Sequence, residues 1–284
     1  GGACEPRRQA DDEQDAMKID YHTHHARCGH AEGALEDYVK RGIVIGLDHI
    51  GLSDHMPLIH VDPASYYPGM AMPMDELPRY VEEAFALKEK YKGRIEVRVG
   101  LEADYIEGCE ETIERIVRGY PWDYVIGSVH FLGEWDITDY RQTDGWKSRD
   151  PMSVYERYYD AVCKAAATGF YDIIGHIDVI KRFGVRPGGD VTHLEDMALE
   201  AVSKAGLAIE LNASGLRMPC AEMFPSKRML AKARELGIPV TLGSDAHQPE
   251  RLGQYLDEAR EALREAGYAQ LATFEGRRRI PVDF

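Results

Sequence analysis

Arg94-Ile-Glu-Val-Arg-Val-Gly-Leu-Glu102 and Trp122-Asp-Tyr-Val-Ile-Gly-Ser-Val-His130 are short, largely apolar runs, and each stops at a residue that can ionise or bind a metal. Runs of this length and composition read as β-strands. Five more apolar runs read the same way, so that seven expected strands end near His22, Asp54, Glu102, His130, His176, Asn212 and Ser244. Helical patterns separate them. Asp75 to Tyr91 carries Leu77, Tyr80, Val81, Ala84 and Leu87 on one face at i, i+3, i+4 spacing. A second helix is expected from Thr192, where Thr192-His-Leu-Glu195 has the form of a capping box and Gly206 supplies a stop. Strands alternating with helices imply parallel pairing and right-handed crossovers. Seven βα units fit one α/β domain, a closed barrel somewhat better than an open doubly wound sheet, though periodicity does not separate the two.

The chain has 284 residues and a net charge of −15, with 44% hydrophobic and 29% charged residues. So negative a surface repels nucleic-acid phosphate, and no nucleic-acid partner is expected. A small anionic substrate then needs a metal or arginine to receive it. No apolar stretch approaches the roughly 18 residues of a membrane span, so no membrane partner is expected and the cytoplasm is the expected location. Residues 1–16 are polar, aperiodic and lack an initial Met; they read as a disordered extension or cloning remnant, with the domain running from 17 to 284. The five cysteines, Cys4, Cys28, Cys109, Cys163 and Cys220, are widely spaced without a Cys-x-x-Cys pair, against a disulfide framework or thiolate zinc site. Cys28, close to histidines, is the one that could matter.

Parallel α/β folds build their active sites at the C-terminal ends of strands. Such ends here carry His22, His24, His30, Asp54, His55, Glu102, His130, His176, Asp245 and His247. In a strand, His22 and His24 face the same side, so both rings can reach one ion. A lone His-x-His is a weak signal, but burying so many histidines and carboxylates together without cations would leave polar groups unsatisfied. Imidazole and carboxylate suit Zn, Fe or Mn. Nine ligands exceed what one ion takes and fit two or three ions with a bridging carboxylate. Adjacent cations can hold the attacking and leaving oxygens of an in-line displacement at phosphorus, so phosphate ester hydrolysis is the expected chemistry. P-loop, dinucleotide-binding and Gly-x-Ser-x-Gly motifs are absent from the sequence. Asn212-Ala-Ser214 matches a glycosylation sequon, but its place after strand six favours a substrate contact.

Six stretches resemble the motifs of the polymerase and histidinol phosphatase (PHP) family: Tyr21-His-Thr-His24 with Cys-Gly-His30, Gly51-Leu-Ser-Asp-His55, Gly100-Leu-Glu102, Gly127-Ser-Val-His130, Gly175-His176 and Gly243-Ser-Asp-Ala-His247. The resemblance runs from Met17 to the C-terminus. It implies a distorted (β/α)7 barrel with three divalent metal ions: His22, His24, Glu102 and Asp245 on one, Glu102, His130 and His176 on a second, and His30, His55 and His247 on a third. Glu102 is then the bridge. Met74-Asp-Glu-Leu-Pro-Arg-Tyr-Val-Glu-Glu, Gly127-Ser-Val-His-Phe131, His176-Ile-Asp-Val-Ile-Lys-Arg-Phe183 and Glu210-Leu-Asn-Ala-Ser-Gly-Leu-Arg217 are similar to the histidinol-phosphatase branch. That implies hydrolysis of L-histidinol phosphate in histidine biosynthesis, with Arg182 and Arg217 as phosphate-binding forks, Asn212 and Ser214 near the substrate, and Glu102 and Asp245 in the reacting centre. His25 departs from the branch, whose members often carry a smaller residue there. Asp54 is expected to orient the ring of His55 or to cap its strand. Two other readings remain: a PHP phosphoesterase for nucleotides or other small phosphate esters, and a non-catalytic metal-stabilised module. The sequence leaves the metal, the general acid and the oligomeric state open.

Overall fold

The computed structural model describes residues 17–65 and 69–284. The extension expected over 1–16 lies outside them. All seven expected strands form, with their registers parallel: β1 (Ile19–Asp20), β2 (His49–Leu52), β3 (Glu96–Asp104), β4 (Tyr124–Ser128), then, after a small antiparallel hairpin of β5 (Phe131–Leu132) and β6 (Trp135–Asp136), β7 (Ile173–Ile174), β8 (Ala208–Asn212) and β9 (Val240–Gly243). Their order in the sheet is β1-β2-β3-β4-β7-β8-β9. The two edges meet: Tyr21 N donates to Leu242 O at 2.9 Å, and Thr23 bridges Ala246 in parallel. The open-sheet alternative is thereby excluded, and the fold is a nearly closed seven-stranded barrel.

One helix follows each barrel strand: α1 (Leu35–Ile45), α2 (Leu77–Lys90), α3 (Glu110–Arg118), α4 (Pro151–Ala167), α5 (Thr192–Ala205), α6 (Lys227–Glu235) and α7 (Leu256–Glu265). The five residues expected on one face of α2 are all buried. The capping box expected at Thr192 does not form. Thr192 already lies in the first turn, its backbone N–H and hydroxyl bond the Asp190 carboxylate, and Glu195 pairs with Arg228 instead. Gly206 ends α5 in the left-handed conformation, φ 70°, as its lack of a Cβ allows.

The barrel interior is filled by aromatic rings: Tyr21 and Tyr124 pack with centroids 4.8 Å apart and planes tilted by 52°, and the Tyr124 hydroxyl donates to Tyr21 O at 2.6 Å. Gly51 and Gly100 make that possible, because a Cβ on either would stand 2.1 Å from the Tyr124 hydroxyl oxygen or 2.4 Å from its ring. An antiparallel hairpin of β10 (Gln270–Glu275) and β11 (Arg278–Asp283), absent from the sequence expectation, closes the N-terminal end of the barrel. Phe274 N donates to the Tyr21 hydroxyl at 3.1 Å, and Gly276 N to Asp123 at 3.1 Å. With one end plugged, the other is left for chemistry. Among the described residues no helix is long and apolar enough to cross a membrane.

Candidate metal centre

Regular pairing of β1 stops at Asp20, but the chain stays extended and aligned on Ala246, so the side chains of His22 and His24 both enter the barrel mouth. They are 0% and 1% exposed. Glu102, on the longest strand, stands between them and the remaining histidines. Its Oε2 lies 2.9 Å from His55 Nδ1, 3.3 Å from His22 Nε2 and 3.5 Å from His24 Nε2. Its Oε1 accepts from Ser128 Oγ at 2.6 Å and lies 3.0 Å from His176 Nε2 and 3.4 Å from His130 Nε2. Asp245 closes the ring, with Oδ1 3.3 Å from His24 Nε2 and 3.5 Å from His247 Nδ1. His247 Nε2 in turn meets His30 Nε2 at 3.0 Å. All nine residues singled out in the sequence as ligands thus converge.

Among the described residues, four triads have donor atoms within 4.8 Å of one another: His22, His24 and Glu102; His22, His176 and Asp245; His55, Glu102 and His130; and His24, His55 and His247. Because they share members they form one continuous cluster. Its fit to cations shows in three atoms, His22 Nε2, His24 Nε2 and Glu102 Oε2, which are fully buried, face one another and have no hydrogen-bond partner. Unpaired buried polar atoms cost several kcal/mol, on the order of 1–3 each, and aiming them at one point is the arrangement a metal relieves.

The opposite nitrogens of these rings are tied to carboxylates. His22 Nδ1 meets Glu210 Oε1 at 2.7 Å, His24 Nδ1 meets Asp54 Oδ1 at 3.3 Å and His130 Nδ1 meets Asp104 Oδ1 at 2.8 Å. Such bonds fix the ring orientation and leave Nε2 for a metal. Asp54 therefore orients His24 rather than the ring of His55, from which it accepts only the backbone N–H at 2.9 Å. Glu210 and Asp104 were missed. Glu210 interrupts the otherwise apolar Ala208-Ile-Glu-Leu, and Asp104 stands two residues after Glu102 and hence on its side of the strand, so each left a signal. Gly243 lets Glu210 in: a Cβ there would stand 1.9 Å from Glu210 Oε1 and 2.6 Å from the Cβ of His22. His176 and Asp245 have positive φ, 20° and 52°, a conformation that costs about 1–3 kcal/mol in a non-glycine residue. Glu210 Oε2 holds the His176 backbone through its N–H at 2.9 Å.

The electrostatics follow the geometry. Burial opposes ionisation of Glu102, yet the facing imidazoles of His22, His130 and His55 hold its carboxyl well below the usual range. Burial likewise works against charge on His24 and His130, but their carboxylate neighbours outweigh it and push them up to about 9 and about 10. His30, without such a carboxylate, is brought down to about 4 by burial and by His55 and His24.

One cavity opens over this cluster, lined by seven of the nine cluster residues and by Ser214, Arg182 and Arg217. Arg182 is partly buried, and its Nε has no partner. Arg217 is tethered: its Nη2 donates to Ser244 O at 2.9 Å and Asp245 O at 3.2 Å, and its Nη1 to Gln254 at 3.2 Å. Asn212 does not line the cavity. Its amide donates to Glu210 and Asp245, and its oxygen takes the N–H of Ser214, whose hydroxyl bonds Asp245 at 3.2 Å. Cys28 is buried with its thiol on His25 O, and the four described cysteines are unpaired.

This barrel and its histidine-carboxylate mouth belong to the PHP-domain family, whose domain matches residues 20–214; residues 227–266 match the PHP-associated family. A Deinococcus radiodurans protein named probable histidinol-phosphatase is 38% identical, over 92% of this chain and 98% of its own length. The histidinol-phosphatase of Bacillus subtilis is 32% identical, over 84% of this chain and 96% of its own. The crystal structure of histidinol phosphate phosphatase from Lactococcus lactis, complexed with zinc, L-histidinol and phosphate, superposes with a TM-score of 0.78 at 26% identity, covering 93% of this chain and 98% of that one.

Proposed function

We propose that this chain is a metal-dependent phosphomonoesterase that hydrolyses L-histidinol phosphate to L-histidinol and phosphate, a step of histidine biosynthesis. The observation that carries the proposal is the set of buried, unpartnered ligand atoms of His22, His24 and Glu102 beneath a cavity that also holds Arg182 and Arg217. Relatives spanning nearly the whole chain are named histidinol-phosphatases, and the Lactococcus lactis enzyme was crystallised with zinc and both products of this reaction.

In this reading His22, His24, Glu102 and Asp245 hold one ion, Glu102, His130 and His176 a second, and His30, His55 and His247 a third, with Glu102 shared. Zinc, iron or manganese there supplies Lewis acidity for attack of water on phosphorus and departure of the alkoxide. The chain's own residues do the rest. Arg182 and Arg217 face the phosphate oxygens, where a planar fork matches a tetrahedral anion. Arg217 is pre-positioned by the carbonyls of Ser244 and Asp245, so it loses little freedom on binding. Ser214 and Asn212 hold the Asp245 carboxylate in place. Burial would raise the Asp245 carboxyl, but His22, His24 and His247 keep it well below the usual range, so it is ionised at neutral pH and suited to holding a cation. The cytoplasmic setting, and a single catalytic domain from 17 to 284 with no catalytic part for 1–16, belong to the same proposal. Its test is phosphate release from L-histidinol phosphate by the metal-loaded protein, alongside mononucleotides and other small phosphate esters.

A further inference from the structure

His25 is buried immediately beside the candidate metal ligand His24, yet its ring points away from the cluster, toward Asp54 and Arg27. Arg27 sits in the 3-10 turn Ala26–Cys28 and is anchored on two acids of the neighbouring helical segment: Nε donates to Glu76 at 3.2 Å and Nη2 to Glu83 at 2.7 Å. Its remaining nitrogen, Nη1, lies 3.0 Å from His25 Nε2. A guanidinium has only N–H donors. His25 Nε2 must therefore be an acceptor without a proton, and the ring carries its single proton on Nδ1. That atom lies against Asp54 Oδ2, and neither of the two has another partner.

With Oδ2 facing a donor, Asp54 presents Oδ1 to His24 Nδ1 at 3.3 Å and to the backbone N–H of His55 at 2.9 Å. His24 then keeps its proton on Nδ1, and when a cation displaces the proton that Nε2 carries in its absence, the lone pair of Nε2 is directed at the point shared with Glu102 Oε2, 3.5 Å away, and Asp245 Oδ1, 3.3 Å away. We infer that Arg27, acting through His25 and Asp54, is a positioning residue that locks His24 in the tautomer a metal requires. The four groups form a line from the anchoring acids Glu76 and Glu83 to the metal centre, and every hydrogen-bond direction along it follows from the inability of Arg27 to accept. His25 is the link that brings Arg27 into the line. The inference rests on the metal reading of the cluster and not on the choice of substrate.

The experiment is carried out on the metal-free full chain labelled with ¹⁵N-histidine, whose two-bond ¹H–¹⁵N correlations report which ring nitrogen carries the proton, and on zinc binding measured by chelator competition. Wild-type His25 is expected as the Nδ1–H tautomer. Arg27→Met removes the donor, so His25 should become a mixture of tautomers and zinc affinity should fall about 10–100-fold, the usual cost of losing a group that supports a ligand. Arg27→Lys, which also only donates, should restore the tautomer and most of the affinity. A wild-type His25 protonated on Nε2 would overturn the inference without any variant, even if Arg27→Met failed to fold. Unchanged zinc affinity in a folded Arg27→Met would overturn it as well, whatever the tautomer. A wild type that binds no zinc would refute the metal reading itself, while the tautomer of His25 would still decide for or against the lock.

Discussion

Glu102→Gln removes one charge and no volume from the centre of the cluster. Five imidazole nitrogens lie 2.9–3.5 Å from the Glu102 carboxylate, which is 1% exposed. An amide keeps an oxygen for the Ser128 hydroxyl, so the barrel should fold. What is lost is the anion that compensates the cations. A unit charge at about 4 Å is worth about 4 kcal/mol at an effective dielectric constant of about 20, or roughly a thousandfold in affinity for an ion it touches. Because Glu102 faces ligands of more than one triad, the loss should extend to more than one ion. Metal analysis of the purified variant, with zinc competition titration and phosphate release beside the wild type, reads this out. Circular dichroism controls for folding. Wild-type zinc content and turnover in Glu102→Gln would refute the shared-carboxylate reasoning.

The cavity arginines should separate. Arg182→Ala is expected to lower kcat/KM for L-histidinol phosphate about tenfold to a hundredfold, as for a lost charge-assisted contact of about 1.5–3 kcal/mol, with zinc content unchanged. Arg217→Ala should lower zinc affinity as well, since Arg217 also holds the backbone carbonyl of Asp245; steady-state kinetics with metal analysis distinguishes the two. Gly243→Ala drives a methyl into Glu210 and His22, and an overpacking cost of about 1–3 kcal/mol should appear as a lower Tm together with weaker zinc binding. In the metal-free protein His24 and His130 are raised to about 9 and about 10 from an unfolded value of roughly 6.5, so the stability they contribute is complete below about pH 6.5 and lost as pH rises through 9–10. His30 acts oppositely: held near 4, it costs stability as pH falls from about 6.5 through 4. Thermal melts of the metal-free protein should therefore fall off on both sides of neutrality, and flat melts from pH 7 to 10 would contradict the assignment of His24 and His130.

The seven strand ends were legible because each apolar run stops at a polar residue, five of the seven at an ionisable one, a pattern local to the sequence. So was the buried face of α2, since i, i+3, i+4 spacing is a property of one helix. The supports of the ligands were not. Glu210 meets His22 across 188 residues and Asp104 meets His130 across 26, pairings that exist only once the barrel has closed. Asp54 illustrates the same limit: adjacent to His55 in sequence, it serves His24, because the turn after β2 aims its carboxylate across to the neighbouring strand. The final hairpin escaped notice because its second strand is mostly exposed and carries no continuous apolar run. At Thr192 a local motif was overruled by two neighbours, Asp190 and Arg228, that offered stronger charged partners.

The central claim, that this barrel mouth is a metal-dependent site for L-histidinol phosphate, is tested most directly by phosphate release from that substrate before chelation, after chelation and after zinc is restored. The account predicts turnover that disappears with the metal, returns with it and exceeds that on mononucleotides by orders of magnitude. Turnover indifferent to chelation, or a zinc-loaded protein that ignores L-histidinol phosphate while hydrolysing nucleotides, would contradict it.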